Sequence, residues 1–338
     1  MFQSRLLRIA IGITVSLAFL AGAFYKIQPP QFWAALKSIN AVNVLLCVMF
    51  FGLSCVFRAL MWRLTTRPLG QVGFFTLFGG VVVGYMANNV LPLRAGELVR
   101  AFYLAARSDI SKTAAFSTIC IERVLDVVSL ALLLALGVAC GIQGLAVHTA
   151  EVALTALAAA VLAAVLLVAG LSWASGRKQG ASNFFARLFD VIGKFVQPVR
   201  QLQKPKIVLA LLGLSLAAWA SNYFSVLALI NGAVVSQLQA ALLLLLFVNL
   251  GLLIPSSPGA LGVMQVAFWT ALAAFGVPKE QSLAYSFVYQ GGLYLFTFAV
   301  GLSFLFRAHL RLKDVSGQLP TPEVPPEATE VAQMSRPN

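Results

Sequence analysis

Long apolar runs separated by short polar segments carry most of the chain, and their lengths are the first clue to its fold. A helix needs about 20 apolar residues to cross a bilayer core. Runs near that length lie at about 9–25, 42–62, 113–142, 150–173, 207–230 and 283–306. Each is expected to be a spanning helix. The first, in MFQSRLLRIAIGITVSLAFLAGAF, has the basic-then-apolar order of a secretory leader. The run continues to Tyr25 and more spans follow, so an uncleaved helix is expected. PPQFWAALKSIN then predicts a short surface helix with Phe32, Trp33 and Leu36 on one face.

Two further apolar stretches do not end in ordinary loops. The stretch at about 72–86 runs into NNVLPLRAGELVRAF, where a proline and a glycine break the helix before a short one at about 96–106. The stretch at about 238–254 runs into PSSPGALG, followed by a helix to about residue 275. Both are expected to be re-entrant pairs that go in and return on the same side. DISKTAAFSTICIER aligns without a gap on GVPKEQSLAYSFVYQ, and each follows a proline-glycine break. Two related units entering from opposite sides would form an inverted repeat, a recurrent transporter plan.

Composition agrees. Of 338 residues, 60% are hydrophobic and 10% charged, against roughly a quarter charged in soluble domains. The short alternating segments of a barrel are missing. The expected fold is an all-α polytopic bundle over 1–313, with repeats at about 42–173 and 207–306. A connector covers about 177–206, and a proline-rich tail at 314–338 is expected to be disordered. In the connector, Phe184, Leu188, Ile192, Phe195, Val199 and Leu202 recur at helical spacing among basic residues. That fits an amphipathic helix on an anionic lipid surface, or equally a solvated connector packed on the bundle.

Net charge is +13. Membrane topology accounts for it better than nucleic acid, which is not expected as a partner. With the N-terminus inside, 16 loop and flanking Lys and Arg fall on the inner side, up to Lys313, and only Lys26, Lys37 and Lys279 outside. The positive-inside rule then places both termini in the cytoplasm of a cell (inner or plasma) membrane.

The chemistry sits where the backbone breaks. Irregular backbone at membrane depth is tolerated only if protein buries it or it lines a watery cavity, and charges there usually face the interior. The first break offers Asn89, Pro92, Arg94, Gly96, Glu97 and Arg100; CIERVLDVV offers Glu122, Arg123 and Asp126 on neighbouring parts of one helix face. Arg58 is a third membrane-level charge, placed near a helix end and free to snorkel. Two readings stand together. Arg94, Arg100 and Arg123 could balance Glu97, Glu122 and Asp126 as a salt-bridge lattice, or the arginines could grip a phosphate head group. The second break carries Ser256, Ser257, Pro258, Gly259 and Gly262, with the serines able to cap the next helix and its free N–H groups able to favour an anion. Cys47, Cys55, Cys120 and Cys140 lie in apolar runs without metal-ligand spacing. No catalytic residue, metal or cofactor is expected, and the phosphate loop of an ATPase is missing.

NNVLPLRAGELVRAFYLAARSDISKTAAFSTICIERVLDVVSL, and PSSPGALGVMQVAF with its continuation to Gly301, resemble the two signatures of a flippase-like family. That family includes the transmembrane region of lysylphosphatidylglycerol synthase, and some members are linked to hopanoid or glycolipid pathways. The resemblance implies a bundle that moves or accommodates amphipathic lipids. It carries over onto Pro92, Arg94, Gly96, Glu97, Arg100, Glu122, Arg123, Asp126, Pro258, Gly259 and Gly262. The family often has Glu at Gln265 and Arg at Gln290, so one charge pair is replaced here by two amides. No soluble domain of aminoacyl-transferase size is present, so lysyl transfer is not expected of this chain alone. The leading expectation is a translocator of an anionic, glyco- or hopanoid-type lipid, with membrane lipids as its partners. The alternatives are an integral-membrane transferase, or a scaffold holding a lipid-biosynthesis enzyme.

Overall fold

The computed structural model describes residues 14–91, 95–139, 205–252 and 257–307. The expected span at about 150–173, the 177–206 connector and the tail lie outside the described residues. Within them the chain is helical: α1 (Thr14–Phe24), α2 (Pro29–Ser38), α3 (Ala41–Thr66), α4 (Phe74–Val90), α5 (Gly96–Ala105), α6 (Lys112–Ala139), α7 (Pro205–Leu229), α8 (Gln237–Gly251), α9 (Val263–Ala273) and α10 (Lys279–Arg307), with a 3-10 turn at Pro258–Ala260. Among the described residues there is no strand.

Helices α3, α7 and α10 are long and apolar enough to cross a membrane. α6 is as long, at 28 residues, but carries Glu122, Arg123 and Asp126 in its middle. In their most apolar windows only 39% of α3 and 28% of α7 and α10 is buried inside the protein. Leu45, Met49, Leu209 and Leu295 are among the large apolar side chains left outward. Only lipid can cover such faces without a large cost, so these helices are membrane spans.

Lipid tails are as apolar as leucine, so close packing and polar contacts must hold the helices together. α3 and α7 run antiparallel, with Phe50 against Phe224 and Ser225 Oγ donating to the Cys47 carbonyl at 2.8 Å. α6 joins them through a 2.8 Å contact between the Ser129 and Ser215 hydroxyls. Small residues line α4: a Cβ on Gly79 or Gly80 would overlap Phe304, Tyr103 or Trp62. The glycines are what let the large fully buried side chains Trp62 and Tyr103 close on α4.

α4 and α5 form an antiparallel hairpin, pairing Gly80 with Tyr103 and Gly84 with both Arg100 and Gly96. At 17 and 10 residues they reach about 26 and 15 Å, less than a bilayer core. α8 and α9, at 15 and 11 residues, pack where Gly251 meets Val263 and Ala267. The hairpins open on opposite ends of the bundle. Phe75 and Arg107 of the first share a pocket with Phe304 and Arg307. The second opens at Phe275 and Val277, between the end of α9 at Ala273 and the start of α10 at Lys279. This end also holds Lys279, whose Nζ donates to the Gly22 and Tyr25 carbonyls. Their breaks meet: the Asn89 carbonyl lies against Gly259.

Candidate functional site

α6 carries the core of the site. Counted from Lys112, Glu122 and Asp126 stand roughly 15 and 21 Å along this 28-residue helix, near its middle. Four residues apart, they present their carboxylates on one face, and three arginines from three helices converge on them. Arg100 of α5 grips Glu122 in a fork, Nη1 to Oε1 at 3.0 Å and Nη2 to Oε2 at 2.8 Å. Arg58 of α3 bridges the two acids, 3.1 Å from Glu122 Oε1 and 3.1 Å from Asp126 Oδ2. Arg123 reaches Glu122 Oε1 at 2.8 Å and Asp126 Oδ2 at 3.2 Å. The Trp219 indole of α7 donates to Asp126 Oδ1 at 2.9 Å. Two rings cover the cations, Trp62 at 4.4 Å from Arg100 and Trp219 at 5.8 Å from Arg58. Trp62 is itself fixed by a 2.8 Å hydrogen bond to Thr118 Oγ1.

Three cations against two anions leave this group with one net positive charge. The Nε–H of each arginine is buried with no protein acceptor, so donors outnumber acceptors. The three arginines differ in access. Arg58 and Arg100 are 4% and 6% exposed, whereas Arg123 is 41% exposed. Arg58 and Arg100 are locked in place and Arg123 is the open one.

Arg58 corrects the sequence reading. It does not snorkel from a helix end. α3 continues four residues past Trp62 to Thr66, which puts Arg58 about 12 Å inside the helix, where the carboxylates of α6 hold it. The salt-bridge lattice is therefore composed differently from the expected one. Arg58 stands in it, and among the described residues Glu97, half-buried in the first turn of α5, pairs with none of its members. Pro92 and Arg94 lie outside the described residues. Gly96 marks the start of α5, where its N–H donates to Asn88 Oδ1 at 2.8 Å.

The second break is built from amides. The Gln265 side chain accepts from the Gly262 N–H at 2.6 Å and donates to Gln290 Oε1 at 2.9 Å. Gln290 and the Tyr294 hydroxyl both donate to the Gly259 carbonyl at 2.5 Å. Gly259 and Gly262 have φ of 74° and 87°, a region that disfavours any side chain. The cap expected of Ser257 is a second correction. Ser257 makes no side-chain cap, and its N–H instead donates to Ser16 Oγ of α1 at 2.9 Å. Gln265, one turn into α9, does the capping. Ser256 lies outside the described residues. One turn along α10, Asn89 Nδ2 donates to Thr297 Oγ1 at 3.1 Å. A polar stripe on α10 (Gln290, Tyr294, Thr297) thus holds both breaks.

Gln290→Leu is expected to strand the buried amide of Gln265 and cost about 1–3 kcal/mol. The check is the unfolding midpoint in detergent; a midpoint equal to wild type would mean that the amides do not fix the break. Sequence reasoning missed Arg58, Trp62, Trp219, Asn88, Tyr294 and Thr297 as contributors. A charged or amide residue inside an apolar run was the available sign for Arg58 and Asn88. Among the described residues, no three His, Cys, Asp or Glu side chains gather as a metal would need.

Comparison with known proteins returns one family model, described as the lysylphosphatidylglycerol synthase TM region, which matches residues 9–301. Among curated proteins, the chain is similar to the glycosyltransferase AglD of Haloferax volcanii, with 24% identity over 310 residues, 80% of this chain and 49% of that protein. It is also similar to a UPF0104 membrane protein of Methanothermobacter thermautotrophicus, with 34% identity over 120 residues, 35% of this chain and 36% of that one. The UPF0104 membrane protein MJ1595 of Methanocaldococcus jannaschii is 30% identical over 129 residues, 37% and 38% of the two chains. The chain spans about half or less of the length of these relatives.

Proposed function

The chain belongs to the lysylphosphatidylglycerol synthase transmembrane-region family, and from that premise we propose that it translocates or accommodates an amphipathic lipid with an anionic, glyco- or hopanoid-type head group. The single observation that carries this reading is the buried cluster of three arginines on two carboxylates, in the middle of α6. It has one net positive charge and one member, Arg123, left 41% exposed. A buried uncompensated charge is costly, and a passing anionic group would offset it. Arg58 and Arg100 hold Glu122 and Asp126 still, so that Arg123 can meet the head group while the tails stay in lipid. The two hairpins, read as an inverted repeat, would supply the paired half-paths from the two leaflets. The end that carries Arg107 and Arg307, the basic end, is the cytoplasmic one in this reading, with both termini on that side.

The test is translocation of native or fluorescent lipids in liposomes holding the purified protein. Arg123→Gln is expected to slow head-group movement about tenfold or more, as loss of one charged contact of about 1.5–3 kcal/mol implies, while the protein stays folded. Wild-type protein that moves none of an anionic, glyco- and hopanoid-type panel would end the transport reading.

A second reading draws on the relative named a glycosyltransferase. Here the bundle is the lipid-holding part of a glycolipid pathway, as a transferase subunit or as the scaffold for an enzyme. Product formation from a lipid acceptor by the purified chain would favour it.

A further inference from the structure

A second constellation of basic side chains lies far from the central cluster, at the open end of the first hairpin. Phe75 and Thr76 from the start of α4, Arg107 just after α5, and Phe304 and Arg307 from the end of α10 line one pocket. The two arginines enter it with no carboxylate in the lining, and among the described residues neither forms an ion pair. Asp109, two residues beyond Arg107, does not line it. Arg107 is held in place: its Nη1 donates to the Tyr103 hydroxyl at 3.1 Å, and the guanidinium stands 5.7 Å from that ring. Gly79 permits this, since a Cβ there would overlap both the Tyr103 hydroxyl and Phe304. The first turn of α4 adds to the positive field. That 17-residue helix has no side-chain cap and no acidic residue in its first turn, so its N-terminal dipole is unopposed. The remaining walls are aromatic. Phe304 packs on Phe78 at 5.8 Å, and Phe75 is 74% exposed.

Two cations, one of them held by the Tyr103 hydroxyl, with Thr76 and two aromatic rings at the end of a spanning helix, match one class of ligand. We propose that this pocket seats the phosphate of an anionic membrane phospholipid from the leaflet at the basic end, with Arg107 and Arg307 on the phosphate oxygens and the upper part of an acyl chain along Phe75 and Phe304. Guanidinium forks suit phosphate oxygens, and head-group phosphates lie at the depth where spanning helices end. The site stands apart from the central cluster and does not depend on transport.

The experiment is native mass spectrometry of the full chain released from detergent, titrated with phosphatidylglycerol or phosphatidylcholine, with inorganic phosphate as a separate arm. Wild type is expected to retain phosphatidylglycerol in preference to phosphatidylcholine. The double variant Arg107→Gln/Arg307→Gln is expected to weaken that retention about tenfold or more, whereas Lys37→Gln, an exposed lysine in the last turn of α2 at the other end of the bundle, keeps it. Both arginines are exposed, and an unchanged unfolding midpoint would confirm that the double variant folds. Equal retention by wild type and double variant would overturn the site. Loss on Arg123→Gln but not on the double variant would move the lipid to the central cluster and overturn it too. Arginine-dependent binding of inorganic phosphate as strong as that of the lipid would overturn the lipid assignment.

Discussion

Glu122→Gln is expected to destabilise the protein more than any other single change at the cluster. The side chain is 1% exposed and touches all three arginines. A glutamine keeps the shape but turns one acceptor oxygen into an N–H₂ group facing guanidinium donors. The balance moves from three cations against two anions to three against one. Removing one partner of a buried ion pair costs about 3–5 kcal/mol, a large share of a total stability of about 5–15 kcal/mol. The expected result is a sharp fall in monodisperse protein and in unfolding midpoint. Arg58→Met is the instructive contrast. It removes two contacts but leaves two cations against two anions, and it is expected to be the milder change. If Arg58→Met proves worse than Glu122→Gln, charge balance does not rule this cluster. Loss of transport in Glu122→Gln would therefore report misfolding, and Arg123→Gln is the informative transport variant.

Gly96→Ala is expected to be the most damaging small change in the first hairpin. A Cβ at Gly96 would run into the carbonyl oxygen of Gly84 and the Asn88 side chain. The first of these is backbone and cannot rotate away. The second is the acceptor that caps α5, at 2.8 Å from the Gly96 N–H. Overpacking of this kind costs about 1–3 kcal/mol, and loss of the cap adds about 1 kcal/mol. The displaced helix also carries Arg100 away from Glu122. The measurement is the unfolding midpoint beside Asn88→Ala, which removes the cap without the clash. Gly96→Ala should lose clearly more than Asn88→Ala; equal losses would mean that the close approach of α4 and α5 is dispensable.

What the sequence reveals follows from the range of each interaction. The long helices are legible because apolar run length is a local property: α3 was expected at about 42–62 and covers 41–66, and α7 at about 207–230 covers 205–229. α10 begins earlier than expected, at Lys279, because Pro278 supplies the carbonyl for its first turn. Glu122, Arg123 and Asp126 could be grouped beforehand because one helix presents them at spacings of three and four. The arrival of Arg58, 64 residues before Glu122, and Trp219, 93 residues after Asp126, depends on how α3 and α7 pack. No local pattern encodes that. The small overrun of α3 past Trp62 was enough to turn a buried arginine inside the helix into an apparently terminal one. The amides show the opposite case. Gln265 and Gln290 stood out as departures from a charged pair, and they are in fact in contact at 2.9 Å.

The order in which the cluster's members leave the ribosome has a consequence for biogenesis. An arginine or aspartate at the centre of an inserting helix costs about 2.5–3.5 kcal/mol, so α6, with Glu122, Arg123 and Asp126, is the segment least able to partition on its own. Both of its cationic partners from other helices, Arg58 and Arg100, are synthesised before it. The bilayer therefore already holds counter-charges when the acidic residues arrive, and Trp219 closes over Asp126 only after α7 has been made. Insertion of α6 is then a docking event on earlier helices rather than an independent partitioning step.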